Sequence, residues 1–127
     1  MSGNRFLLDT NAVIALLQGN KQLLLLLNAA DWIGVSIISK LEFLSFSEIT
    51  NDDINLFGKF LQKVDVIDLC NDENNLISRV IEFRKTYNIK LPDAIIAASA
   101  HYSNAVLVSK DKSLGKINNI KVLSNWN

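Results

Sequence analysis

Four carboxylates in this chain occupy positions from which chemistry is readily built: Asp9, Glu42, Asp93 and Asp111. Asp9 and Asp111 follow short apolar runs, Phe6 to Leu8 and Ala105 to Val108. Runs without polar alternation are expected of strands covered on both faces of a parallel sheet. A carboxylate beyond the carboxyl end of such a strand enters the crevice where open α/β sheets bind ligands. Glu42 and Asp93 fall in the expected first turns of helices, after Ser39 and after Pro92. Helix N-termini that follow parallel strands face that same sheet edge. Four carboxylates converging there repel one another, and their ionised forms are disfavoured without a counter-charge. A divalent cation supplies it, and all-oxygen ligands select the hard ions Mg²⁺ or Mn²⁺, which keep several waters. Such a site lowers the pKa of a bound water and stabilises charge on a phosphoryl group.

Each acid also has a purely structural explanation. Asp9 or Thr10 can cap the helix that follows. Ser39-Lys40-Leu41-Glu42 fits a capping box, Asp93 answers a helix dipole, and Asp111 can cap a turn. Taken singly, these explanations are at least as good as a catalytic one. Only convergence on one edge favours chemistry.

Other chemistries lack their parts. His101 is the only histidine and lies about two turns beyond Asp93, so neither a Ser-His-Asp relay nor a histidine zinc site can be assembled. It reads as a surface or partly buried helix residue. Cys70 has no nearby base to activate it. No glycine-rich phosphate loop follows the first strand. A phosphatase with Asp9 as nucleophile usually needs a second Asp two residues on, where Asn11 stands.

The elements that must position these residues alternate along the chain. A helix from about Asn11 to Gln18 stops at Gly19. Asn20 caps a second, through Ala30, that carries five consecutive leucines, Leu23 to Leu27. These point all around a helix, which implies either burial on several sides or a partner or dimer surface. Ile33 to Ile38 reads as a second strand and Ser39 to Phe46 as a helix. Asn51-Asp52-Asp53 opens another helix to about Lys63, and Val66-Ile67 is a third strand. Asn71-Asp72-Glu73 starts a helix to Tyr87, and Pro92 begins one to about Ser103. Ala105 to Val108, a turn over Asp111 to Lys116, and Ile120 to Leu123 complete the series. Strands alternating with helices predict an α/β fold whose parallel sheet carries helices on both faces.

The 127 residues suit a single domain able to bury a core, with 49% apolar and 20% charged side chains. One cysteine, no charged-then-apolar leader and no apolar run of spanning length predict a soluble, cytoplasmic protein with no membrane partner. The net charge is zero, yet residues 1–78 carry a balance of −5 and residues 79–127 one of +5. That asymmetry can draw a polyanion to one side of the molecule, although a solvated lysine-rich surface also explains it.

Four segments together resemble the PIN-domain family, and most closely its VapC-type ribonuclease toxins. They are Leu7-Leu8-Asp9-Thr10-Asn11, Ser36 to Glu42, Leu91-Pro92-Asp93-Ala94 with the apolar helix behind it, and Val106 to Asp111. The resemblance implies a three-layer α/β/α sandwich around a central, mostly parallel five-stranded sheet. It also implies Mg²⁺- or Mn²⁺-dependent hydrolysis of RNA phosphodiesters by Asp9, Glu42, Asp93 and Asp111 as catalytic metal ligands. Thr10, Asn11 and Ser109 would support them; Ser109 replaces the family's usual Thr but keeps a hydroxyl. Leu114 stands where an aromatic residue often follows Asp111. Lys40, Lys90, Lys110 and Lys112 flank the acids and are candidate phosphate contacts. Family members typically form homodimers and are neutralised by a small cognate antitoxin. The competing expectations are a non-catalytic binding module of the same fold, a PIN nuclease without an antitoxin, and the phosphatase that Asn11 disfavours.

Overall fold

Each short apolar run becomes a strand because its alternate side chains find cover on opposite faces. In the computed structural model, which describes residues 4–71 and 75–126, the strands are β1 (Arg5–Leu8), β2 (Trp32–Ser36), β3 (Asp65–Ile67), β4 (Val106–Val108) and β5 (Val122–Leu123). The helices are α1 (Thr10–Leu17), α2 (Lys21–Asn28), α3 (Ile37–Leu44), α4 (Asn51–Leu61), α5 (Leu76–Tyr87) and α6 (Leu91–Tyr102), with a 3₁₀ turn over Lys112–Lys116.

All four strand pairings are parallel, in the order β3-β2-β1-β4-β5, with Leu8 opposite both Val35 and Val108. Leu7 and Leu107 face a core that includes Val80, Phe83, Ile95 and Ile96 from α5 and α6. Phe6, Leu8, Val35 and Val108 face the other core, with Val13, Leu23 and Phe57 from α1, α2 and α4. The result is the three-layer α/β/α sandwich. Residues Ala94 to Ala100 of α6 are buried without a break, and small side chains let that helix pack closely on all sides. The chain leaves β1 toward β2 on one side and returns to β4 on the other. The strand order therefore reverses at β1 and β4, and ligands bind at such switch points, outside the carboxyl ends.

Several boundaries differ from those expected. The second strand ends at Ser36 and not at Ile38. Ile37 and Ile38 are β-branched and look like strand, but the Ser36 hydroxyl accepts from the Ile38 N–H at 3.1 Å and opens α3. Ser39 is thus the third residue of the helix, and no capping box joins it to Glu42, which lies a turn deeper than expected. The capping box forms instead at α4. There the Thr50 hydroxyl accepts from the Asp53 N–H and the Asp53 carboxylate accepts from the Thr50 N–H, both at 3.1 Å. Pro92 is second in α6, after Leu91. The α5 helix begins at Leu76, and the expected acidic start at Asp72-Glu73 lies outside the described residues.

At the amino end of the sheet the Trp32 ring lies across Gly34, where an added Cβ would sit 2.1 Å from the ring. The Arg5 guanidinium stacks 4.4 Å from its centroid, and its indole N–H donates to Asp65. Of the five leucines of α2 only Leu23 is fully buried, while Leu24 and Leu25 face solvent. Burial on several sides is therefore not their explanation. His101 is half-buried, with Phe83 edge-on to its ring. No helix among the described residues is long and apolar enough to cross a membrane.

Candidate active site

The switch point opens into a cleft of about 610 Å³ lined by Asp9, Thr10, Asn11, Glu42, Asp93 and Asp111. Asp9 is fixed first by the backbone. Its N–H donates to the Val108 carbonyl at 3.1 Å, which ties the end of β1 to β4. One carboxylate oxygen accepts from the Ala12 N–H at 2.8 Å, so Asp9 does cap α1. The buried Ser109 hydroxyl also bonds its carboxylate. That same hydroxyl accepts from the Asp111 N–H at 3.0 Å, coupling two of the four acids through one side chain.

The other acids come from three further elements. Thr10, the first residue of α1, donates its hydroxyl to Glu42 on α3. Asp93 stands in the first turn of α6, as expected. Asp111 caps the 3₁₀ turn by accepting from the Ser113 N–H and hydroxyl. Two of the capping roles foreseen as alternatives to chemistry thus exist, at Asp9 and Asp111, while Asp93 sits in the first turn of α6 where the helix dipole favours an anion. They do not compete with a second use of the remaining oxygen atoms.

The electrostatics show that these acids feel one another. Burial pushes the Asp9 carboxyl above its ordinary value; the bonds from Ser109 and Ala12 pull it back, and the charges of Asp111 and Asp93 raise it further. Asp93 is raised by burial, then by Asp111 and Glu42, with Lys90 acting the other way. Among the described residues the one ion pair is Arg79–Glu82, far along α5, so none of the four acids is neutralised by a direct salt bridge. The donor set is all oxygen and carries excess negative charge, which fits a hard divalent cation. No group of three or more His, Cys, Asp or Glu among the described residues is drawn together tightly enough to enclose an ion. Mg²⁺ does not demand such a cage, since it is usually held by one or two carboxylates, its own waters and substrate phosphates.

Of the lysines expected nearby, Lys90 pulls the Asp93 carboxyl down, although it does not line the cleft. The Lys110 ammonium lies 4.6 Å from the centroid of the Trp126 ring, and Lys40, Lys110 and Lys112, like Lys90, do not line the cleft. Leu114 does, and is buried. The sequence reading missed the apolar part of the lining, Ile14, Leu17, Phe43, Phe46, Ile49, Leu56 and Ile96, with Gln18 and Asp53 as further polar members. Its one legible signal was the Thr50-to-Asp53 spacing of the capping box.

Comparison with known proteins identifies the family and the fold. The PIN domain family model matches residues 6–120. No curated protein sequence matches the chain. Among solved structures, VapBC2 from Rickettsia felis, bound to a DNA fragment from their promoter, aligns at 22% identity and a TM-score of 0.80, covering 97% of this chain and 99% of that one. A toxin–antitoxin complex from Klebsiella pneumoniae aligns at 25% identity and a TM-score of 0.74, covering 92% and 94%. VapBC-1 from nontypeable Haemophilus influenzae aligns at 22% and 0.78, covering 94% and 96%.

Proposed function

The chain belongs to the PIN-domain family, and from that premise we propose that it is an Mg²⁺- or Mn²⁺-dependent endoribonuclease, the toxin of a VapBC-type pair. Asp9, Glu42, Asp93 and Asp111 would hold the metal. One observation carries the reading: four acids from four elements meet at the switch point, and two have their carboxyls pushed up by burial and by their neighbours. A protein keeps such a cluster unpaired where a cation is to bind.

The bound ion supplies activation of water and stabilisation of charge on the phosphoryl group and leaving oxygen. This chain's residues supply orientation. Ser109 holds Asp9 and the backbone of Asp111 in one arrangement, and Thr10 holds Glu42. Outer hydrogen-bond partners of this kind keep ligands in place. Asn11 lines the cleft beside them as a further polar support. Lys40, Lys90, Lys110 and Lys112 would be phosphate-positioning contacts around the cleft rather than within it.

The similar structures include toxin–antitoxin complexes, which supports a small cognate antitoxin as partner, with a homodimer as the working assembly and the cytoplasm as the setting. Cleavage of RNA by the purified protein tests the reading. Wild type is expected to cut in Mg²⁺ or Mn²⁺ and to stop in EDTA, and Asp9→Asn to be inactive. Activity unchanged by that substitution would sink the assignment. A stable complex with the product of an adjacent reading frame distinguishes a toxin from a PIN nuclease that has no antitoxin.

A further inference from the structure

Ser109 and Asp111 leave β4 beside the shorter edge strand of the sheet. That strand, β5, is two residues long and pairs with β4 alone. Strands usually begin at about three residues. Two backbone bonds join its segment to β4: the Leu107 N–H donates to the Lys121 carbonyl at 2.8 Å, and the Ser109 N–H to the Leu123 carbonyl at 3.1 Å. Edges with so few contacts are the first to open, unless something outside the ladder holds them. Trp126 does so. It is 6% exposed and belongs to the core of Phe6, Leu8, Leu23 and Val108. Its indole N–H donates to the Leu123 carbonyl at 3.2 Å, the same oxygen that receives the Ser109 N–H. Its ring carries the Lys110 ammonium, 4.6 Å from the centroid.

We propose that Trp126 is a positioning residue of the candidate active site: it clamps the Ser109–Asp111 segment against β5 and so sets the two acids that Ser109 joins. The proposal rests on the metal-site reading above and deepens it. A buried indole needs a partner for its N–H, and any nearby carbonyl would satisfy that need. Here the acceptor is the one that fixes Ser109, and the ring's cation is the next residue along. Trp126 thus holds two consecutive residues from outside the sheet, and Asp111 is the third. The hold passes inward through Ser109. With its backbone fixed on β5, that residue has its hydroxyl free to bond the Asp9 carboxylate and to accept from the Asp111 N–H at 3.0 Å. The Val108 carbonyl, one residue earlier, receives the Asp9 N–H. Asp9 and Asp111 therefore keep their separation only while the end of β4 keeps its place. Groups behind a metal ligand act in this way, by fixing the oxygen atoms that meet the ion.

The test uses the full chain and two measurements. Trp126→Leu keeps apolar bulk in the core but has neither the N–H nor the aromatic face. Amide exchange in EDTA, read residue by residue by NMR, should show Ser109 and Asp111 opening about tenfold more often than in wild type. That is the worth of one hydrogen bond and one cation–π contact together. The control is Leu23→Ala, a truncation in the same core at a residue that does not line the cleft. It should speed exchange evenly, in β1 as much as at Ser109. Calorimetric titration with Mn²⁺ should show affinity falling about 10- to 100-fold in Trp126→Leu, the range for losing a partner behind a metal ligand, and holding near wild type in Leu23→Ala. Wild-type exchange at Ser109 and Asp111 in Trp126→Leu would overturn the clamp. Unchanged Mn²⁺ affinity in that protein, or an equal loss in Leu23→Ala, would do the same. Neither measurement uses RNA, so a wild type that binds Mn²⁺ but cuts no RNA overturns the ribonuclease reading and leaves the clamp standing. A wild type that binds no Mn²⁺ overturns both.

Discussion

Replacing Asp9 by Asn should abolish cleavage and, without metal, make the protein more stable. Asn caps a helix as well as Asp does, so the oxygen that accepts from Ala12 at 2.8 Å is retained. What disappears is a charge held in a desolvated position beside Asp111 and Asp93. The folded-state pKa of Asp9 lies above its unfolded value of 3.8, so ionisation opposes folding. That cost is present in full above the raised folded value and vanishes as the pH falls to the unfolded one. Relieving a functional site of this kind stabilises by about 0.5–2 kcal/mol. In a domain of this size that is a rise in Tm of roughly 2–8 °C, at about 4 °C per kcal/mol. Thermal unfolding in EDTA at pH 7 and at stepwise lower pH reads it directly, and the gap between the two proteins should close as the medium becomes acidic. Adding Mg²⁺ should reverse the order, because a ligand at a hundred times its Kd stabilises the wild type by about 2.7 kcal/mol. An Asp9→Asn protein that melts lower than wild type in EDTA, or a gap that widens with acid, would refute the reasoning and leave Asp9 a structural cap.

Three further outcomes follow from other positions. Ser109→Ala removes the hydroxyl that lowers the Asp9 pKa and fixes the Asp111 backbone. The acid limb of the pH–rate profile should move to higher pH and activity near neutrality fall about tenfold, while Ser109→Thr should behave as wild type. Phe57→Ala empties a site that is 1% exposed and stacked against Phe43 and Phe60; denaturant melts should show a loss of about 3–5 kcal/mol. Gly34→Ala drives a Cβ into the Trp32 ring at 2.1 Å and should cost about 1–3 kcal/mol in the same melts, with a red shift of tryptophan emission if the ring is expelled.

The strands were legible because burial on both faces demands uninterrupted apolar runs, as at Phe6 to Leu8. The acids were legible for a related reason: in a parallel sheet every strand delivers its next residues to the same edge. The boundary between β2 and α3 was not, since Ile37 and Ile38 favour a strand by shape, and one hydroxyl, that of Ser36, decides otherwise. The apolar lining was illegible on different grounds. Ile14, Phe46, Ile49 and Leu56 come from separate segments with no shared spacing, and only the folded packing, with Phe43 of α3 stacked on Phe57 of α4, brings them around one cleft. The leucine row of α2 shows the same limit in reverse: five identical residues carry no information about which one the fold will bury.

The course of the chain through the switch point has a consequence for how activity could arise. A cut in the connection between β3 and α5 would leave Asp9 and Glu42 on one fragment, Asp93 and Asp111 on the other, and the β1–β4 seam between them. Neither fragment would hold more than half of the acids, and the two lean to opposite net charge. A ribosome making this protein likewise releases three strands before the residues that complete the cleft exist. The proposed cleavage would therefore have to wait until the last third of the polypeptide docks, and a split version of the chain would report on that docking by switching on only when its halves meet.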